Sequence, residues 1–181
     1  GKSVGIDLGT TYSSIALIEA GSPVIVPVDG SRIVPSVVGF SNKGDKGGEG
    51  EVLVGELARR QLLVNPKNTF ASVKRVMGRK VKEVTKRDAL SRNDHAVKRI
   101  SRDLPRSSDI MLSSPALGRT DVAPEEISSK VLSYLLDAAQ SYLSGEGGKV
   151  REQDRITKAV ITVPAYFLPS QCEATEKAGI A

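Results

Sequence analysis

The chain has 181 residues, a formal net charge of +5, 39% apolar residues and 26% charged residues, which is typical of one globular domain or of one lobe of a larger protein. Its single cysteine, Cys172, excludes an internal disulfide and a cysteine-based metal site, and it favours a reducing compartment. No run of 18 apolar residues occurs, so the sequence predicts no membrane-spanning helix.

The positive charge is concentrated in one block. Residues 74–106 contain 12 lysines and arginines against 4 acidic residues, whereas the rest of the chain is net negative. Such a block can bind nucleic acid, but this one has no interleaved aromatic residues to stack on bases. We interpret it as a solvated basic face, with nucleic-acid binding as the weaker alternative, and we expect the lone His95 to lie on the surface.

The beginning of the chain predicts strands joined by tight turns. Strands are expected over residues 3–8 and 13–19, linked by the turn GTT, and further strands are expected over residues 24–28 and 34–40. The charged, glycine-rich stretch 41–51 predicts a surface loop. Strands so close in sequence favour an antiparallel or mixed sheet.

Two helices are predicted next. The short strand VLVG precedes GELARRQLLVNP, whose apolar spacing is helical and which ends at Asn65 before a proline. Asn68 and Thr69 are suited to cap a second helix over residues 70–77, which Gly78 would end.

The second half of the chain alternates helices and strands, which indicates an α/β fold. Residues 79–121 predict only small strands and loops, and residues 124–144 predict a long helix. A buried strand is expected over residues 158–167, ending at Pro164, and Ser170 is expected to cap a last helix. The apolar face of the long helix is predicted to consist of Ile127, Val131, Leu135, Ala138 and Tyr142.

The stretch GIDLGTTYSS, residues 5–14, has the features of a site that handles phosphate. Asp7 ends an apolar strand, where a carboxylate can reach a metal ion or its waters. A glycine after it lets the backbone approach a ligand closely, and successive backbone amides in a turn bind anions. The amides expected to form this nest belong to Gly9, Thr10, Thr11 and Tyr12. The alternative interpretation is an ordinary hairpin with a polar turn.

Two further stretches carry possible roles. Lys74 lies among apolar residues, where it is either a surface lysine whose stem packs on its neighbours or a cation aimed at phosphate. The stretch ITVPAYF, residues 161–167, reads first as a packing corner with an exposed aromatic pair. Neither GxxxxGK[ST] nor GxGxxG occurs, so neither a P-loop nor a dinucleotide-binding fold is predicted.

Taken in order, GIDLGTTYS, DGSRIVPSVVGF, NPKNTFASVKRVMGRK and ITVPAYF resemble the nucleotide-binding domain of the DnaK-type, seventy-kilodalton heat-shock chaperone family, in its bacterial and organellar branch. The resemblance covers nearly the whole chain apart from the basic block. It implies an actin-like (ribonuclease H-like) α/β ATPase fold, of which this chain would be the first lobe only. Residues 1–36 and 121–181 would form the core sheet subdomain, and residues 37–120 an inserted outer subdomain.

The resemblance also implies roles for individual residues. Asp7 would contact the water shell of Mg²⁺ and the K⁺ sites, and Lys74 would lie beside the γ-phosphate of ATP and orient the attacking water. Pro164 would be the switch that links nucleotide state to the substrate-binding domain, with Tyr166 beside it. The first phosphate-binding turn, for ATP or ADP, would consist of Gly9, Thr10, Thr11 and Tyr12.

The function implied is that of an ATP-dependent molecular chaperone that assists protein folding. Its partners would be unfolded client proteins, a J-domain co-chaperone and a nucleotide exchange factor, all acting through the complete protein. Nucleic acid is the disfavoured partner, and no membrane span is expected. The likeness of NTFASVKR and TKAVITVPAYF to plastid members favours the plastid stroma, with the mitochondrial matrix and the bacterial cytoplasm as alternatives.

Departures from the family pattern follow ITVPAYF. Leu168 and Pro169 stand where the family has a polar pair, and Cys172 stands where it has an arginine that helps to relay the interdomain signal. The family's second phosphate loop and catalytic glutamate would lie beyond Ala181, so we expect the isolated lobe not to hydrolyse ATP. The alternative is a naturally truncated, non-catalytic relative that acts as an interaction or scaffold module.

Overall fold

The computed structural model describes residues 1–41, 51–84, 100–101, 103–145 and 150–181. Its strands are, in chain order, β1 (Lys2–Asp7), β2 (Tyr12–Glu19), β3 (Ser22–Ile25), β4 (Val34–Pro35), β5 (Val37–Phe40), β6 (Val52–Val54), β7 (Thr69–Ala71), β8 (Leu112–Ser114), β9 (Arg119–Val122) and β10 (Ile156–Thr162). Its α-helices are α1 (Glu56–Gln61), α2 (Pro124–Ser144) and α3 (Pro169–Ile180). Short 3₁₀ turns cover Pro66–Asn68, Val73–Arg75, Val81–Glu83 and Glu152–Asp154.

The first sheet has the strand order β10-β1-β2-β3, with β4 paired to β2. β1 and β2 form the predicted antiparallel hairpin, and β10 lies parallel to β1. Val4, Ile6 and Ile15 are buried in the core, to which α2 also contributes. The register places Asp7 between Ser14 and Thr162, so its carboxylate stands where a central strand ends.

The second sheet has the order β6-β5-β7 and is covered by α1. Val37, Ala58 and Ala71 form a small buried cluster between this sheet and the helix. The hairpin β8-β9 lies beside it, because the side chain of Asn68 accepts hydrogen bonds from the Ser114 hydroxyl at 3.2 Å and from the backbone beyond it. The chain passes from the first sheet to the second directly after β4, because β5 begins two residues after β4 ends.

The prediction of a helix over residues 70–77 is wrong. Residues Thr69–Ala71 form β7, in which Phe70 pairs with Val38 of β5. Ser72 then adopts a left-handed conformation with φ 59°, and only one 3₁₀ turn follows. Pairing with β5, in which Phe70 lies opposite a residue 32 positions earlier, overrides the local helical spacing, since Phe70 is completely buried in that pairing.

Three other boundaries of the first half differ from the sequence prediction. The strand expected over residues 24–28 ends at Ile25, because Pro27 cannot donate to a ladder. The strand expected over residues 34–40 is interrupted at Ser36, where β4 and β5 join different sheets. The first predicted helix exists as α1 but ends before Asn65.

The long helix α2 has the predicted bounds, and Ile127, Val131 and Leu135 of its predicted face are buried. Tyr142 is 38% exposed, which the prediction did not anticipate. The helix reaches the end of β2 at this point, and the Tyr142 hydroxyl donates to the carboxylate of Glu19 at 3.2 Å instead of entering the core. Ala138 is half-buried, and the buried face is completed by Leu132 and Ala139.

The last strand and helix also differ in detail from the prediction. β10 ends at Thr162, before Pro164, and it is an edge strand of the described sheet, so that Val160 is 65% exposed rather than buried. α3 begins at Pro169, a residue type favoured at the first helical position, and not after Ser170. The predicted position of His95, most of the loop 41–51 and part of the basic block lie outside the described residues. Across the described ranges, no helix combines the length and apolarity needed to cross a bilayer.

Candidate functional site

The chain between β1 and β2 folds back sharply at Gly9. A side chain at this position would place its Cβ 1.9 Å from the carbonyl oxygen of Tyr12, so only glycine fits. The missing side chain at Gly9 thus lets the backbone of Tyr12 fold back against it, which makes the turn tight. Asp7 lies just before the turn with an exposed side chain, and its carboxylate accepts a hydrogen bond from the Thr162 hydroxyl at 3.3 Å.

Part of the expected amide nest is used inside the protein. The Gly9 amide donates to the Ser13 hydroxyl at 3.2 Å, and this hydroxyl lies 2.8 Å from the Ser36 hydroxyl. The Ser36 amide donates to the Thr11 carbonyl at 2.9 Å. The amide expected to contact an anion at Gly9 is thus already engaged, whereas Thr10 lines a narrow crevice beside the turn.

The segment after β7 brings Lys74 to the same turn. The left-handed Ser72 and the following 3₁₀ turn direct the lysine side chain inwards, where it is only 9% exposed. Its ammonium donates to the Leu8 carbonyl at 2.6 Å. The interpretation of Lys74 as a surface lysine is therefore wrong. Burial lowers the pKa of Lys74, and the Asp7 carboxylate partly offsets this effect.

The ITVPAYF corner closes a third side of the site. The Pro164 carbonyl accepts a hydrogen bond from the Phe167 amide at 3.0 Å, which forms a turn between β10 and α3. The centroid of the Phe167 ring lies 5.2 Å from the Lys74 ammonium, a distance at which a cation is attracted to the face of an aromatic ring. Tyr166 is 82% exposed and makes an edge-on contact with the Phe167 ring.

The site residues predicted from sequence fall into two places. Thr10 and Lys74 line the same crevice, next to the end of β1. The side chain of Tyr12 points elsewhere, into a separate surface cleft that it shares with Arg59 and Tyr134. Only the backbone of Tyr12 therefore belongs to the turn.

Sequence reasoning missed three residues of the site. Ser13 and Ser36 form the hydroxyl pair behind the turn, and Phe167 covers the ammonium of Lys74. A signal for Ser13 was present, since a serine at a position of β2 that alternates with Ile15 had to be buried. The partners of Ser36 and Phe167 lie 23 and more residues away, so no local pattern indicates them.

The carboxylate of Asp7 fits a metal ion that arrives together with a ligand. Within the described part of the chain, no three His, Cys, Asp or Glu side chains come together in a way that could hold a metal ion. Mg²⁺ usually keeps several waters and binds to one or two carboxylates plus substrate phosphates. Asp7 matches this requirement, because it is one exposed carboxylate next to the tight turn at Gly9.

The chain resembles known proteins along its whole length. Residues 3–181 match the family model described as Hsp70 protein. The chain is 46% identical over 179 residues to "Chaperone protein dnaK" of Gracilaria tenuistipitata var. liui, an alignment that covers 98% of this chain and 25% of that protein. It is 44% identical over 181 residues to "Stromal 70 kDa heat shock-related protein, chloroplastic" of Pisum sativum, covering 98% and 22%. It is 43% identical over 180 residues to "Chaperone protein dnaK3" of Synechocystis sp., covering 99% and 20%. The chain thus spans a quarter or less of the length of these relatives.

Proposed function

Because the chain belongs to the Hsp70 family, we propose that it is part of the ATP-binding, ATP-hydrolysing domain of an ATP-dependent molecular chaperone. In this proposal the chain supplies the first phosphate-binding turn, and the remaining groups of the ATP site come from parts of the protein that follow in the family. Hydrolysis is expected of the complete protein and not of this segment alone.

Family membership confirms the predicted fold class. The nucleotide-binding domain of the family has the actin-like ATPase fold, and the mixed α/β structure of this chain is part of its first lobe. We propose the subdomain division given by the sequence, with residues 1–36 and 121–181 as the core sheet subdomain and residues 37–120 as the outer one. The change of sheet at Ser36 supports the first boundary.

The observation that carries the proposal is the convergence of Lys74 on the turn after β1. A buried ammonium donates to the Leu8 carbonyl, one residue before the glycine that the tight turn requires. Phosphoryl transfer requires mainly positioning and compensation of charge on the transferring group. An ammonium has three donors, so Lys74 keeps donors for a γ-phosphate and for the attacking water.

We propose that the groups that would hold the nucleotide and its ions surround the same turn. Thr10, Thr11 and the backbone of Gly9 and Tyr12 would line the phosphates of ATP or ADP. Asp7 would accept hydrogen bonds from the water shell of Mg²⁺ and take part in K⁺ sites. When bound, Mg²⁺ neutralises charge on the phosphates. The exposed Asp7 carboxylate and the crevice that Gly9, Thr10 and Lys74 line together support these assignments.

We propose that Pro164 is the switch that links nucleotide state to a substrate-binding domain, with Tyr166 beside it. The turn that begins at Pro164 places Phe167 against the Lys74 ammonium. A change of conformation at Pro164 would therefore change the contact between the Phe167 ring and the lysine. The exposed Tyr166 is free to contact another part of the complete protein. The replacement of the family's relay arginine by Cys172 predicts weaker coupling than in typical members.

The partners and the location are proposed from the family. Family members act with client proteins and co-chaperones in general, and we propose unfolded polypeptides, a J-domain protein and a nucleotide exchange factor for the complete protein. The relatives belong to the organellar and cyanobacterial branch, as the sequence indicated. We propose the plastid stroma as the location, which the likeness to the stromal protein of Pisum sativum supports.

The first test is the substitution Lys74→Ala in the full-length protein that carries this segment. We expect ATP hydrolysis to fall about 100-fold or more, the loss typical of one donor aimed at a developing charge, while calorimetry still detects binding of ATP with Mg²⁺. Lys67→Ala, at an exposed lysine nearby, is the matched control and should leave hydrolysis unchanged.

Two results would count against the proposal in different ways. Failure of the unaltered full-length protein to bind ATP with Mg²⁺ would contradict the function itself. Unchanged hydrolysis in the Lys74→Ala protein would contradict only the role of Lys74. Because this side chain is buried, Lys74→Met, which retains most of its volume, separates loss of the ammonium from loss of packing.

A further inference from the structure

We propose that Ser36 is a positioning residue that fixes both ends of the phosphate-binding turn, through its own amide at one end and through Ser13 at the other. This inference rests on the proposed function, since it concerns the same turn. It adds two residues to the site and connects the turn to the second sheet of the molecule.

The two connections are made by different groups of the same residue. The Ser36 amide donates to the Thr11 carbonyl at 2.9 Å. The Ser36 hydroxyl lies 2.8 Å from the Ser13 hydroxyl, which in turn accepts the Gly9 amide at 3.2 Å. The turn that contains Thr10 is therefore held on both sides, at the residue before it and at the residue after it.

The Ser13 end of this connection is shielded from solvent. Ser13 is 1% exposed, so its hydroxyl depends on protein partners for every hydrogen bond it makes. A buried hydroxyl that loses one of its partners carries an uncompensated desolvation cost. Removal of the Ser36 hydroxyl would therefore leave Ser13 to reorient, and the Gly9 amide would lose a correctly oriented acceptor.

The position of Ser36 in the chain gives this arrangement a consequence beyond the turn. Ser36 is the single residue between β4 of the first sheet and β5 of the second sheet. It also lines the crevice that contains Thr10 and Lys74. A displacement of the second sheet relative to the first therefore acts on the turn through the hydrogen bonds of Ser36, in addition to any effect through Lys74, which follows β7 of the same sheet.

The first measurement is amide hydrogen exchange at Gly9 in the full-length protein that carries this segment, without nucleotide. In the Ser36→Ala variant we expect exchange at Gly9 to accelerate about fivefold, the effect of one net hydrogen bond. Ser22→Ala, an exposed serine in β3 of the same sheet, is the matched control and should leave this rate unchanged. Ser36→Thr keeps the hydroxyl, suits the extended backbone between two strands and should restore the original rate.

The second measurement compares ligands in the full-length protein. We expect Ser36→Ala to weaken ATP about fivefold while adenosine binding stays the same, because adenosine has no phosphate to contact the turn. A merely structural role would weaken both ligands to the same extent, and that pattern would overturn the inference. So would an unchanged Gly9 exchange rate. If the unaltered protein bound no ATP, the proposed function would fail, and the exchange rate would still decide whether Ser36 holds the turn.

Discussion

Lys74 shows at the scale of one residue how an unfavourable burial is compensated. Lysine is almost never buried unless its charge is paired, yet this side chain is 9% exposed. Its ammonium has a backbone acceptor at Leu8, an aromatic face at Phe167 and the field of the Asp7 carboxylate. Burial nevertheless dominates and lowers the pKa of Lys74, so the folded protein carries an electrostatic cost at this position.

This cost predicts how stability depends on pH. The folded-state pKa of Lys74 lies below its ordinary value of 10.5, so the unfolded chain binds more protons between the two values. The free energy of unfolding must therefore rise with pH in that interval. Relative to Lys74→Met, which has no ionisable group there, the unaltered chain should gain stability as pH is raised from 7 towards 10.5.

Urea denaturation of both chains across this pH range measures the difference. Other ionisable groups are common to the two proteins, so their contributions cancel in the comparison. If the free energies of unfolding of the two chains changed in parallel with pH, burial would not shift the pKa of Lys74. If the unaltered chain lost stability relative to the variant as pH rises, the pKa of Lys74 would be raised and not lowered.

At the scale of the element, α2 is the support on which the site is assembled. The helix packs against β2 of the first sheet, β5 and β6 of the second sheet, and α3. It also contacts the 3₁₀ turn that carries Lys74, so one helix contacts both the lysine segment and β2, the strand that follows the turn at Gly9. The helix is long enough to contact all of these elements, since its 21 residues span about 30 Å.

The exposure of individual α2 residues predicts which substitutions matter. Leu135 is completely buried, so Leu135→Ala should lower the free energy of unfolding by about 2–5 kcal/mol. Tyr142 lies at the end of the helix with 38% of its surface exposed, and Tyr142→Ala should cost less than about 1 kcal/mol. Chemical denaturation of the two variants tests this orientation of the helix. If both residues were buried, as the sequence predicted, both substitutions would cause a large loss in the free energy of unfolding.

At the scale of the whole molecule, Gly78 is the point where the middle of the chain packs closely against the last helix. A side chain at this position would place its Cβ 2.5 Å from the Ser170 carbonyl and 2.7 Å from the Cα of Gln171, in the first turn of α3. The segment that carries Lys74 and the turn that carries Phe167 therefore approach each other at backbone contact. This close approach holds the aromatic ring over the ammonium.

The contact at Gly78 has a natural control within the chain. Gly78 and Gly118 both have positive φ, 68° and 64°, but a side chain at Gly118 would enter open space. Gly118→Ala should therefore show only the backbone strain of about 1–2 kcal/mol. Gly78→Ala should cost roughly 1–3 kcal/mol more, because backbone must move to admit the methyl group. Equal losses in the free energy of unfolding would mean that the packing of α3 against this segment contributes nothing.

Local sequence patterns were sufficient for the elements whose stability is local. The bounds of α2, the β1–β2 hairpin and the glycine turn after Asp7 were all predictable, because helical spacing, a proline at the first helical position and a tight turn each act within a few residues. The ordered motifs were also sufficient for the family, which membership in Hsp70 confirmed. Tertiary structure decided the rest. Phe70 belongs to a strand because β5 is available to pair with it, and Lys74 is buried because that strand turns it towards Leu8. The hydroxyl pair of Ser13 and Ser36 likewise depends on two strands that meet only in the folded chain, since contacts between distant residues leave no period in the sequence.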